Sequence, residues 1–366
     1  MRYIHSWAPA ALIALLVAAC GGGDGDQSSN VRYASMVNFG DSLSDVGTYA
    51  TAGLVASTGG ASAKGGGKYT VNGPAAKNWT ELIATQIGVA QPCAAQTGLE
   101  SAGPLAGLAE AKADHPGCLN YAQGGARVTN PVGPGNKGLL PNPSGALGQL
   151  TDPIINQINR HLAASGGKFS GGELVTVLAG GNDILINLAV YAATVGAGGD
   201  PTVAGTAAVT AMGTAGAELA AYIKALILAN GATHVVVVNL PDVSQTPSGI
   251  AQGPAGQGLI NLMVTTFNGQ LIGGLANTGG VLVVDAYNQG HDQAARPAQY
   301  QLTNVTTPAC DPAKSLFDSA LVCNANTLVA GDVSHYLYAD TVHPTPWGYR
   351  LLAQFVTQNM LQAGWL

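Results

Sequence analysis

Charge is scarce in this chain: charged residues are 9% of 366, and 14 Lys and Arg face 20 Asp and Glu for a net charge of −6. No basic patch or stripe stands out to neutralise phosphates, which excludes a nucleic-acid binder. With 47% hydrophobic residues it is not a disordered chain either. No two cysteines have C-x-x-C spacing and no zinc-hydrolase helix motif appears, so neither a metal nor another cofactor is implied. The Gly-x-Ser-x-Gly elbow of α/β-hydrolases is missing. No internal repeat of fixed period is evident.

The apolar run at residues 10–19 is too short to span a bilayer comfortably and follows Arg2, so residues 1–20 read as a signal peptide. It ends in Val17-Ala18-Ala19-Cys20, which resembles a bacterial lipobox, with Cys20 as a lipid-bearing mature N-terminus; ordinary secretion is the alternative. Residues 21–30 then form a flexible polar tether. The expectation is export across a bacterial inner membrane, to the outer membrane, periplasm or cell surface or into the medium. Lipidated Cys20 would hold the protein at a membrane.

Cys93, Cys118, Cys310 and Cys323 remain, an even number for an oxidising address. Pairing Cys93 with Cys118 and Cys310 with Cys323 closes the shortest loops, although four cysteines allow three pairings. Each bridge would contribute about 3 kcal/mol.

Short apolar runs at 34–39, 119–122, 174–179, 234–240 and 281–286 read as five strands. Val235-Val236-Val237-Val238 and Val281-Leu282-Val283-Val284 show no polar alternation, the mark of strands buried on both faces of a parallel sheet. Helical spacing of apolar residues runs through 78–87, 150–164, 201–229, 259–275 and 346–361. Strand and helix alternate, so residues 31–366 are expected to form one three-layer α/β/α domain with ligands at the carboxyl ends of its strands. Gly/Pro-rich excursions at 49–74, 92–117, 129–145 and 288–339 are expected as insertions around the pocket.

The chemistry concentrates at strand ends. Val37-Asn38-Phe39-Gly40-Asp41-Ser42 delivers a serine where the first strand gives way to a turn, and Asp340-Thr341-Val342-His343 supplies a carboxylate three residues before an imidazole. Nucleophile, base and orienting acid make a serine hydrolase. Ser42 is expected to open the first helix, with Asp41 as its cap, so that its N–H and the helix dipole face an oxyanion. Gly124 or Gly125 would add a backbone donor, and Asn182, in Gly180-Gly181-Asn182-Asp183, a side-chain amide.

In order, Gly40-Asp41-Ser42-Leu43, Gly125, Gly180-x-Asn182-Asp183 and Asp340-x-x-His343 resemble the conserved blocks of a GDSL esterase of the SGNH hydrolase superfamily. The stretch 39–47 is similar to the bacterial lecithinase, haemolysin and outer-membrane esterase branch, with Thr48 where asparagine is frequent. The resemblance implies a flavodoxin-like fold with a mainly parallel five-stranded sheet and Ser42, His343 and Asp340 as nucleophile, base and acid. It implies Ser42, Gly125 and Asn182 as the oxyanion hole and favours Gly125 over Gly124. The expected partner is a small ester or lipid, bound by a monomer. A phospholipase, lysophospholipase, acyltransferase or carbohydrate acetyl esterase would use the same serine, and a non-catalytic ligand-binding surface lipoprotein is the rival of another class.

Asp332-Val333-Ser334-His335 has the same spacing as Asp340 and His343 but runs into Tyr336-Leu337-Tyr338, whereas Pro344 and a helix follow His343. His5, His115, His161, His234 and His291 are expected to be structural or solvated. Gly133 to Gly138 fits G-x-G-x-x-G only as a proline-containing loop. Leu139, Leu140, Ile184, Leu185 and Tyr191 are expected either at an acyl pocket or in the core.

Overall fold

The computed structural model describes residues 31–57, 67–315 and 317–366. The leader, the tether and Cys20 lie outside them. In chain order the elements are β1 (Ser35–Gly40), α1 (Ala52–Ser57), α2 (Trp79–Gln86), β2 (Gln96–Leu99), β3 (Glu110–Asp114), α3 (Ile154–Ala164), β4 (Glu173–Leu178) and α4 (Gly181–Gly196). They continue with α5 (Pro201–Tyr222), β5 (His234–Val238), α6 (Gly253–Leu275), β6 (Val281–Val284), α7 (Ala286–Ala295) and α8 (Pro346–Gln362).

The central sheet runs β1-β4-β5-β6, every pair parallel, with Val37 opposite Val175, Val175 opposite Val235 and Val235 opposite Val281. Residue alternation sends one set of side chains to each face. Val37, Phe39, Val175, Val177, Val235 and Val237 pack with α3, α5 and α6 through Ile154, Met212 and Phe267. Met36, Leu174, Leu178, Val236, Val238 and Val284 pack with α2 and α8 through Trp79, Ile83, Tyr349 and Val356. Three layers result, and the all-valine run of β5 is what burial on both sides requires.

The sheet proper has four strands, not five. Residues 119–123 do run beside β1: Asn38 N–H donates to Leu119 O at 3.0 Å, Tyr121 N–H to Asn38 O at 2.8 Å and Gln123 N–H to Gly40 O at 3.1 Å. Pairing amounts to one parallel bridge between Asn120 and Asn38, because the Asn120 side chain bonds Ala122 N and Ser44 O and a glycine pair follows at once. Counting that edge segment in chain order, the spatial order is 2-1-3-4-5, the flavodoxin-like arrangement whose switch point lies between β1 and β4.

Helices stand where none was expected. Gly181, Asn182 and Asp183 open α4, with Gly180 at φ +115° as its cap. Both α1 and α7 fall within or beside the supposed insertions, and β2 pairs antiparallel with β3 inside a third.

α5 and α6 pack closely because Gly216 presents no side chain. A Cβ there would lie 2.3 Å from the Phe267 carbonyl oxygen, whereas one on Gly269 of the same helix pair meets nothing within 4 Å. Gly216→Ala is expected to destabilise the protein by about 1–3 kcal/mol, and Gly269→Ala to be neutral or stabilising by up to about 1 kcal/mol. Urea midpoints of the two variants, which should move in opposite directions or in one case not at all, check this.

Candidate active site

The end of β1 is fixed by a buried glutamine. Gln157 of α3 accepts from Gly40 N–H at 2.9 Å and donates to Gly40 O at 2.8 Å, standing in for a strand partner. Beyond it the chain makes a turn, not a helix: Asp41 Oδ1 accepts from Leu43 N–H at 3.0 Å and Asp41 O from Ser44 N–H at 3.1 Å. Ser42 therefore does not open a helix, and no helix dipole acts on it. Its turn is held from outside by Trp79 Nε1–H, which donates to Ser44 Oγ at 3.2 Å, and by Asn78 Nδ2, which donates to Asp45 O at 3.1 Å.

Asp45 decides which glycine is available. Its Oδ1 accepts from Gly47 and Thr48 N–H, each at 2.8 Å, and its Oδ2 accepts from Gly124 N–H at 2.9 Å. Gly124 is thereby committed to structure. Gly125 lines the cavity beside Ser42, and its N–H meets no acceptor among the described residues. Its φ of +80° and a Cβ position 2.5 Å from Pro134 O leave room only for glycine.

From the far end of the chain, His343 Nε2 stands 2.8 Å from Ser42 Oγ while its Nδ1 lies 2.7 Å from Asp340 Oδ2. The carboxylate neighbour places the ring proton on Nδ1 and leaves Nε2 to accept from the serine. Asp340 also accepts backbone N–H bonds from Ala320 at 2.6 Å, Val342 at 2.9 Å and His343 at 2.7 Å. Burial pushes its carboxyl up, but His343 and these donors outweigh that and hold it below the usual carboxylate range. Tyr69 leans on the imidazole, ring centroids 4.7 Å apart.

Asn182, in the first turn of α4, gives one amide hydrogen to Ala126 O at 2.8 Å. The other amide hydrogen has no acceptor among the described residues, and Asn182 lines the cavity with Ser42 and Gly125. Asp183 ties the same loop down, pairing with Arg127 Nε at 2.9 Å and accepting Val128 N–H at 3.0 Å. Burial raises its carboxyl despite both partners.

Ser42, Tyr69, Gly125, Asn182 and His343 line one cavity of about 500 Å³ whose remaining wall is mostly apolar, with Leu185, Leu240, Val243, Leu337 and Leu352. The family profile described as GDSL-like lipase/acylhydrolase matches residues 36–356, nearly the whole span from β1 to α8. The chain belongs to this family.

The GDSL-like chain is 25% identical over 343 residues to an uncharacterized protein of the trpE–trpG intergenic region of Pseudomonas putida, covering 91% of this chain and 49% of that one. It is 30% identical over 80 residues, 22% of each chain, to a GDSL esterase/lipase of Arabidopsis thaliana. It thus spans about half the length, or less, of the curated relatives it matches. An extracellular lipase of Streptomyces rimosus superposes with a TM-score of 0.34 at 15% identity, over 89% of this chain and 99% of that one.

The second Asp-x-x-His of this GDSL-like chain has different surroundings. His335 Nδ1 meets Gln301 O at 2.7 Å and its ring stacks on Trp347 with centroids 4.1 Å apart, while Asp332 is exposed and bonds Ser334 N–H. His291, expected to be structural or solvated, has its Nε2 2.8 Å from Oδ2 of the cavity-lining Asp242. Of the five apolar residues considered for an acyl pocket only Leu185 lines the cavity, and Ile184 is fully buried in the core. Cys93 is bonded to Cys118 and Cys310 to Cys323. Among the described residues no His, Cys, Asp and Glu cluster suited to a metal occurs. Sequence reading missed Asp45 and Tyr69; the first sits only three residues beyond Ser42, within the motif already noticed.

Burial pushes Asp41 up to about 7, against the pull of Leu43 N–H and His343, and Asp45 up to about 6. Each then holds its proton more tightly folded than unfolded, so the stability it contributes is full below pH 3.8 and is lost as pH rises through the folded value. Asp340 has the opposite sign, but its loss falls below pH 3.8 and adds no slope above it. Between pH 5 and pH 7, Asp41→Asn is expected to lose less stability than the parent, because Asn still accepts from Leu43 while no longer titrating. Urea midpoints at the two pH values test this; equal losses in both proteins would contradict it. His161 and His234, both pushed down by burial, titrate alike in the two proteins and cancel in the comparison.

Proposed function

We propose that this chain is a serine esterase that hydrolyses carboxylic esters with an apolar acyl group through an acyl-enzyme on Ser42. The observation that carries this is the unbroken chain of contacts from Ser42 Oγ through His343 to Asp340, at 2.8 and 2.7 Å. Ser42 Oγ attacks the ester carbonyl carbon as its proton passes to His343 Nε2. Asp340 keeps Nδ1 protonated and faces the imidazolium that forms. The carbonyl oxygen becomes an oxyanion held by Ser42 N–H, Gly125 N–H and the free amide hydrogen of Asn182. His343 returns the proton to the departing alcohol, then takes one from a water that attacks the acyl-serine and gives it to Ser42 Oγ as the acyl–oxygen bond breaks and the acid is released.

The apolar wall of Leu185, Leu240 and Leu352 supports an acyl chain over a charged one. Two disulfides support an exported, oxidising setting, as does the leader-like sequence that precedes the described residues.

On a p-nitrophenyl ester, Ser42→Ala and His343→Ala are expected to lose all but a trace of turnover, while His335→Ala retains most of it. The reverse pattern for the two histidines would transfer the role of base. Asn182→Ala should lower kcat by about 10²–10³. A loss confined to KM would show that Asn182 holds the ground state and not the oxyanion.

A further inference from the structure

Asp340 and His343 are each touched by a loop from outside the triad, and one buried side chain fastens those two loops together. The first loop is 318–323, whose Ala320 N–H donates to Asp340 Oδ2, the same oxygen that faces His343 Nδ1. The second is 67–72, whose Tyr69 ring lies against His343. Asn72 is buried, 5% exposed, and stands between them without lining the cavity. Its amide nitrogen lies 2.8 Å from Lys68 O and 3.1 Å from Thr70 O in its own loop, and 2.9 Å from Ala320 O and 3.1 Å from Cys323 O in the other. An amide has two hydrogens, so both are shared between carbonyls as three-centre bonds.

Backbone contacts strengthen the same junction. Asn72 N–H donates to Cys323 O at 2.8 Å and Gly67 N–H to Leu321 O at 2.9 Å. On its other side the 318–323 loop is anchored by the Cys310–Cys323 disulfide, and Cys310 N–H donates at 2.8 Å to the carbonyl of Ala339, the neighbour of Asp340. The Ala320 N–H is therefore held toward the acid by Asn72 from one direction and by the disulfide from the other.

We propose that Asn72 is a positioning residue for the triad, fixing the loop that orients Asp340 against the loop that supports His343. This rests on the reading of Ser42, His343 and Asp340 given above. No other side chain with a hydrogen-bond donor joins the two loops among the described residues. Without the amide, Ala320 drifts from Asp340, the carboxylate gains freedom to rotate, and the imidazole loses its fixed aim at Ser42. Asn72 itself does not line the cavity, whereas Tyr69 of the first loop and Asp318 and Ser319 of the second do, so its loss reaches KM only through those three wall residues and kcat through Ala320 and Asp340.

Asn72→Ala in the full chain is expected to lower kcat on a p-nitrophenyl ester by about 10²-fold, with a much smaller change in KM. The rate at which a fluorophosphonate labels Ser42 should fall by the same factor. Near-UV circular dichroism confirms that the variant is folded, and a role in stability alone would leave both rates unchanged below the melting transition. A folded Asn72→Ala with parental kcat and labelling rate, or with its loss in KM, would overturn the proposal. If Asn72→Ala does not fold, Cys310→Ser with Cys323→Ser loosens the same loop from the opposite side and carries the test with the same two outcomes. His343→Ala measured alongside separates the claims. If it is inactive while Asn72→Ala is unimpaired, only the positioning role falls; if it is active, the triad falls and the proposal with it.

Discussion

Sheet growth reverses between β1 and β4, and the crevice opened there is the constraint on which the site depends. Ser42 leaves the first of these strands, Asn182 follows the second, and Gly125 ends the edge segment on β1's other side. Asp340 and His343 come from near the other end of the chain, folded back so that α8 packs on α2 beneath the Ser42 turn. Parallel strands put every strand-to-helix turn at the same edge of the sheet. Groups far apart in sequence thus meet without any long-range device beyond the fold.

Around that crevice four buried carboxyls, of which Asp41 lines it, have unlike environments. Asp340 accepts three backbone N–H bonds and faces an imidazole, so its ionised form is favoured. Asp41, Asp45 and Asp183 are buried with fewer or weaker compensations and are pushed up. Such divergence among neighbouring acids separates roles. Asp340 suits the task of facing a transient imidazolium, while the other three fasten backbone N–H groups: Asp41 that of Leu43, Asp45 that of Gly124, and Asp183 that of Val128. Because Asp45 takes the Gly124 hydrogen, the next amide, of Gly125, is the one left facing the cavity.

What was legible in the sequence is what short-range chemistry dictates. Unbroken apolar runs announced β5 and β6, and Gly40 to Ser42 with Asp340 to His343 announced residues that the fold brings within hydrogen-bond distance. The helix expected at Ser42 was not there because Ser44, Asp45 and Gly47 satisfy a turn instead, the Asp45 carboxylate taking the Gly47 and Thr48 hydrogens that a helix would have paired. The edge segment stopped short of a strand because Asn120 spends its side chain on local backbone. Residues 318–323 and Asn72 looked like insertion because their meaning lies in contacts with Asp340 and with one another across about 250 positions, which no local pattern encodes.

The central claim is that Ser42 carries the acyl group. Rapid quenching of the purified protein with a p-nitrophenyl ester, followed by proteolysis and mass spectrometry, tests it most directly. The account predicts one acylated peptide, the one containing Ser42, formed in the burst phase and absent from Ser42→Ala. Steady ester turnover with that peptide unmodified, or with the acyl group on another residue, would contradict it.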